Sequence, residues 1–157
     1  MTSRNVVHAS FTITRTWPHP PGKVFNAFAS EQAKSKWFTG PPGCELFDKR
    51  FDFREGGRET LGGKHADGKV TMFDCVYRDI VAPSATEPGR IIYSYVMHLN
   101  GAKISVSQAA IEIMPDAGGT KLVLTEYGDY LDGYDDAGSR EHGTNWIIDT
   151  LGRSLEA

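Results

Sequence analysis

Between Cys44 and Tyr127 the chain alternates short strand-like runs with glycine-bearing breaks, and no helical periodicity interrupts the series. The runs fall at 44–47, 51–54, 58–61, 69–80, 91–98, 103–114 and 120–127. Their separators are Glu55-Gly56-Gly57, Gly62-Gly63, Asp67-Gly68, Glu87-Pro88-Gly89, Asn100-Gly101 and Gly118-Gly119. Asn100-Gly101 is the strongest turn signal, because both residue types tolerate the positive φ of a tight hairpin. A parallel sheet needs a crossover of a dozen or more residues between strands, and no such room exists here. The segment therefore reads as antiparallel hairpins.

The flanks supply the remaining elements. Residues 10–17 set Phe11, Ile13 and Arg15 against Thr12, Thr14 and Thr16, the alternation of a half-buried strand. His19-Pro20-Pro21-Gly22 ends it, and Pro21 suits the first turn of a helix carrying Val24, Phe25 and Phe28. Ser30 with Glu31 caps a second short helix that closes at Trp37-Phe38, before the breaker Gly40-Pro41-Pro42-Gly43. An acidic loop over 129–138 leads into a long C-terminal helix capped by Asp136 or Ser139. At about 100° per residue, Arg140, Gly143, Thr144, Ile147, Ile148, Leu151 and Leu155 share one side of it. Glu141, Asn145, Asp149 and Glu156 share the other, and His142 is read as solvated. The expectation is an α+β fold: a curved antiparallel sheet, two short helices and one long C-terminal helix over a cavity.

Composition narrows the partners. The 157 residues are read as a single domain over 1–157, and a net charge of −3 lacks the basic excess of a phosphate-tracking surface, so no nucleic-acid partner is expected. No stretch approaches a membrane span, and the opening Met1–His8 segment has no apolar run suited to a signal peptide. Cys44 and Cys75 form no CxxC pair and are read as free thiols of a cytoplasmic protein.

The ordered series of motifs is similar to a known family. Arg15-x-Trp17-x-x-Pro20 precedes Val24-Phe25-x-Ala27-Phe28 and Trp37-Phe38-x-Gly40-Pro41. Phe51-Asp52-Phe53-Arg54-x-Gly56-Gly57-Arg58, Gly119-Thr120-x-Leu122 and Leu151-x-x-x-Leu155 follow. Over almost its whole length the chain resembles the homologues of the heat-shock-chaperone ATPase activator, within the SRPBCC (START-like, helix-grip) superfamily. The resemblance implies a helix-grip fold with a deep pocket under the C-terminal helix. Relatives include lipid carriers, hormone receptors, polyketide aromatases and cyclases, and the chaperone-activating domain itself, so the fold does not select the activity. The long extra chaperone-binding domain of the eukaryotic activators is absent, so a chaperone is not the expected partner.

No catalytic signature stands out. His8, His19, His65, His98 and His142 show no HxH or HxxxH spacing, so no metal and no cofactor is expected. There is no G-x-S-x-G elbow and no phosphate loop, and Cys75 in mid-strand reads as a small buried hydrophobe. The informative signal is polarity on a buried face. Glu126 shares a strand face with Leu122 and Leu124, and Arg140 extends the apolar helix stripe. Buried charges need partners, so the two form either a structural ion pair or a polar anchor inside an apolar pocket. Gly143 is read as a point where the helix passes close to sheet or ligand. Trp37, Phe38, Phe53, Met72, Tyr77, Tyr93, Tyr95 and Met97 are expected to line that pocket with Glu126, Arg140, Gly143, Thr144, Ile147 and Leu151. The function this implies is binding of a small hydrophobic or aromatic molecule. The alternatives are a cyclase/aromatase-like enzyme using Glu126, Arg140 and a tyrosine, or a chaperone ATPase co-factor. A homodimer is left open.

Overall fold

The structure is a computed structural model that describes residues 4–156, so the reading of Met1–Ser3 lies outside the described residues. The elements follow in the order β1 (Val6–Trp17), α1 (Pro21–Ala29), α2 (Glu31–Lys34), β2 (Glu45–Phe51), β3 (Arg58–Lys64), β4 (Val70–Val81), β5 (Gly89–Leu99), β6 (Ala102–Asp116), β7 (Gly119–Leu131) and α3 (Ala137–Ser154). All seven strands form one curved antiparallel sheet in the order β1-β7-β6-β5-β4-β3-β2. Consecutive strands are hairpin neighbours from β2 to β7, as short turns require. Only β1 departs: it returns to the far edge, beside β7.

Two sequence expectations change. The runs at 44–47 and 51–54 are replaced by one strand, β2, whose register slips between Phe47 and Arg50 where Asp48 takes φ 49°. Gly62 and Gly63 are not a turn but the middle of β3. Side chains there would have no room: a Cβ on Gly62 would lie 2.6 Å from the Phe47 ring, and one on Gly63 would lie 2.8 Å from Cys44 Sγ. A glycine pair in a strand marks close approach as readily as it marks a turn.

Helix caps follow the local chemistry. The Ser30 hydroxyl accepts the Ala33 amide at 3.2 Å, and Asp136 accepts the Ser139 amide at 2.8 Å. Of the two cap candidates for α3, Asp136 is the residue used.

α3 is held to the sheet over its C-terminal half. Arg15 of β1 donates to Asp149 (2.9 Å) and Asn145 (2.7 Å), and Lys23 donates to the Leu155 carbonyl (2.7 Å). Gly152 packs against Trp17 so closely that an added Cβ would be 2.8 Å from its indole nitrogen. Ile148, Leu151 and Leu155 sink from this half into the core beside Ile13, Ile113, Leu122 and Val24. The N-terminal half has no such fastening to β1, and under it the interior is open.

Candidate functional site

Strand alternation decides which side chains face that opening. On β5, Tyr93, Tyr95 and Met97 point to the concave side, while β4 contributes Thr71, Phe73 and Tyr77. Together with α3 and the α2–β2 segment they enclose a cavity of about 600 Å³ with mainly apolar walls. Of the residues expected at the site, Trp37, Phe38, Phe53, Tyr77, Tyr93, Tyr95, Met97, Glu126, Arg140, Gly143, Thr144 and Ile147 all border it.

Two do not. Met72 is one residue out of phase with Phe73 and Tyr77, so it points to the convex face and joins Arg58, Thr60 and Asp74 in a polar surface groove. Leu151 is fully buried, but in the packed core beneath the fastened half of α3. Of the two approaches read for Gly143, to sheet or to ligand, the one to the sheet is not made: a Cβ there would meet nothing within 4 Å, the residue borders the cavity, and the close helix–sheet approach falls at Gly152. His142, read as solvated, is exposed yet stands on the cavity border.

One end of the cavity holds a connected polar group. The Tyr95 hydroxyl donates to Glu126 Oε2 (2.7 Å) and accepts from Arg140 Nη1 (2.9 Å). Arg140 Nη2 donates to Ser105 Oγ (2.8 Å) and Asp135 Oδ2 (2.9 Å), and the guanidinium lies over the Tyr130 ring at 5.4 Å. The guanidinium stands 3.9 Å from Glu126 Oε2, so Tyr95 and not direct contact links the two charges. Glu126 is only 2% exposed. Burial raises its pKa above the usual glutamate value, partly offset by the Tyr95 hydrogen bond and the Arg140 charge. Its Oε1 atom has no hydrogen-bond partner among the described residues and is left open to the cavity, as is the Tyr93 hydroxyl.

A second polar group was not anticipated from sequence. Lys34 Nζ donates to Glu59 Oε1 (2.5 Å) and to the Tyr77 hydroxyl (3.2 Å), and Tyr77 also donates to Glu59 Oε1 (2.5 Å). The ammonium sits over the Phe38 ring at 4.9 Å, with Trp37 and Phe51 each at 5.7 Å. No local pattern in the sequence sets Lys34 apart. Glu59 carried a usable signal, since it alternates in phase with Leu61 on a strand.

Phe73, at the centre of the aromatic wall, was also missed. It packs against Phe38, Tyr93 and Tyr95 at 5.1, 6.3 and 5.1 Å between ring centroids. Cys44 and Cys75 are both free thiols. Burial pushes the Cys75 thiol up to about 12, which leaves it a packing residue. Among the described residues no three His, Cys, Asp or Glu side chains gather as a metal site, and no helix is long and apolar enough to cross a membrane.

A single antiparallel sheet curved around a long C-terminal helix, with a cavity between them, defines the helix-grip class of the SRPBCC superfamily. Residues 18–156 match the family described as activator of Hsp90 ATPase homolog 1-like protein, and the chain belongs to it. A solved structure of a putative uncharacterized protein from Rhizobium leguminosarum is 37% identical, with a TM-score of 0.90 over 99% of both chains. A Rhizobium loti protein is 35% identical, with a TM-score of 0.84 over 96% of this chain and 99% of the other. A family protein from Aeromonas hydrophila, 19% identical over 94% of this chain and 92% of its own, shares the fold at a TM-score of 0.69. No curated protein matches the chain significantly. The family fold fits a ligand-binding or co-factor-like role in general.

Proposed function

We propose that this protein binds one small apolar or aromatic molecule in the cavity between the curved sheet and the N-terminal half of α3. The observation that carries the reading is the cavity itself: about 600 Å³ with apolar walls and only a few convergent polar groups. That size and character match the sites that hold small organic ligands. A space this large inside a domain forfeits dispersion contacts, so an occupant would restore packing that the chain alone does not supply. Tyr93 and Glu126 Oε1 provide unfilled hydrogen-bonding positions to orient it.

Native mass spectrometry of freshly purified protein, followed by thermal-shift assays with hydrophobic dyes and lipid extracts, tests the reading. A releasable small-molecule adduct or a saturable shift is expected. Absence of both overturns it.

A second reading is favoured by one observation. A carboxyl of raised pKa beside an open phenol, in a cavity with mainly apolar walls, can pass protons to and from an enolisable ligand as a cyclase or aromatase would. Turnover of a candidate polyketide by the wild type, abolished in Glu126→Gln with binding retained, would select that reading. Stimulation of a chaperone ATPase would instead point to the co-factor role.

A further inference from the structure

We infer that the cavity selects for a ligand whose polar end is a hydrogen-bond donor, a hydroxyl or an amine on an aromatic body, and selects against a carboxylate. This rests on the binding reading above and names the chemistry of its ligand. The lysine and the arginine on the cavity border are both already committed. Lys34 is held by Glu59 and Tyr77 at one end. At the other, the terminal nitrogens of Arg140 are taken by Tyr95, Ser105 and Asp135. The charges then leave Glu126 in excess: Lys34 offsets Glu59, and Arg140 sits 2.9 Å from Asp135 but 3.9 Å from Glu126.

Two positions on the cavity wall lack a partner: the Tyr93 hydroxyl can donate or accept, whereas ionised Glu126 Oε1 can only accept. Glu126 Oε1 is the open oxygen of a side chain 2% exposed, and it has no hydrogen-bond partner among the described residues. An incoming N–H or O–H would satisfy it, whereas a carboxylate would meet like charge with no free lysine or arginine to offset it. The sheet register adds a second contact. Glu126 pairs with Ala109, which in turn pairs with Tyr93, so the open carboxylate oxygen and the open phenol come from one cross-strand row.

The test is competition against the neutral dye N-phenyl-1-naphthylamine by three matched probes: 2-naphthol, 2-naphthylmethylamine and 2-naphthoate. The naphthol and the amine should displace the dye at concentrations about tenfold or more below the naphthoate. In Glu126→Gln the preference over naphthoate should fall to about threefold or less, mainly through weaker amine binding. Should that variant not fold, the ratio among the three probes on the wild-type protein decides alone. Naphthoate binding as tightly as the other two overturns this inference and leaves the binding reading standing, as does an unchanged preference in a folded Glu126→Gln. Failure of the dye and all three probes to bind removes the binding reading itself, and this inference with it.

Discussion

The Tyr95 hydroxyl stands between Arg140 Nη1 at 2.9 Å and Glu126 Oε2 at 2.7 Å, accepting from one and donating to the other. One phenol on β5 thereby couples a charge on α3 to a charge on β7. The arrangement unites the two roles that sequence left open for Glu126 and Arg140: a structural link on one carboxylate oxygen, and a free position on the other.

Tyr95→Phe removes that link without changing the ring. Both charged partners lose a hydrogen bond in a largely buried site. Urea unfolding should show a loss of about 1–3 kcal/mol. No measurable change would mean the hydroxyl does not connect helix and sheet.

The pH dependence of stability has a definite sign. Glu126 has its pKa raised above the ordinary 4.5 in the folded chain, so the native state keeps its proton after the unfolded chain has ionised. More protons are then bound in the native than in the unfolded state, and stability falls as pH rises through that window. The stability of wild type relative to Glu126→Gln should therefore decline from about pH 4.5 upward until the native carboxyl ionises. Denaturant midpoints of both proteins across that range check it, and a rising difference would contradict it.

At the other end of the cavity, Lys34→Met leaves Glu59, 5% exposed, without its cation. Removing one partner of a buried pair should cost about 3–5 kcal/mol. Adding Glu59→Gln should recover a large part of that loss, because the uncompensated charge goes with it. Chemical denaturation of the two single variants and the double variant measures the coupling.

Two glycines of α3 should respond in opposite ways. Gly152→Ala drives a methyl against the Trp17 indole at 2.8 Å, and overpacking of this kind costs about 1–3 kcal/mol. Gly143→Ala meets nothing within 4 Å and should raise stability by up to about 1 kcal/mol through helix propensity. Thermal unfolding distinguishes them, and equal effects would contradict the division of α3 into a packed half and a roofing half.

That division also marks how far sequence could be read. The order of elements, the hairpin turn at Asn100-Gly101, the cap at Asp136 and the inward face of Tyr93, Tyr95 and Met97 were all legible, because each depends on local periodicity or turn chemistry. Met72 was misplaced because side chains of opposite phase on β4 were grouped together by residue type. Leu151 and Gly143 lie on one helical face, and periodicity cannot say where along that face solid packing gives way to space. Lys34 was invisible for a different reason: its partners Glu59 and Tyr77 lie 25 and 43 residues away, and only the folded sheet brings them together.

The central claim is that the space under α3 is a binding site. Fluorescence titration with N-phenyl-1-naphthylamine of the wild type and of Gly143→Phe tests it most directly, since the position borders the cavity and a Cβ there meets nothing within 4 Å. The account predicts one saturable site in the wild type and its loss in a Gly143→Phe protein that remains folded. Dye binding undiminished in folded Gly143→Phe, or no saturable binding to the wild type, would contradict it.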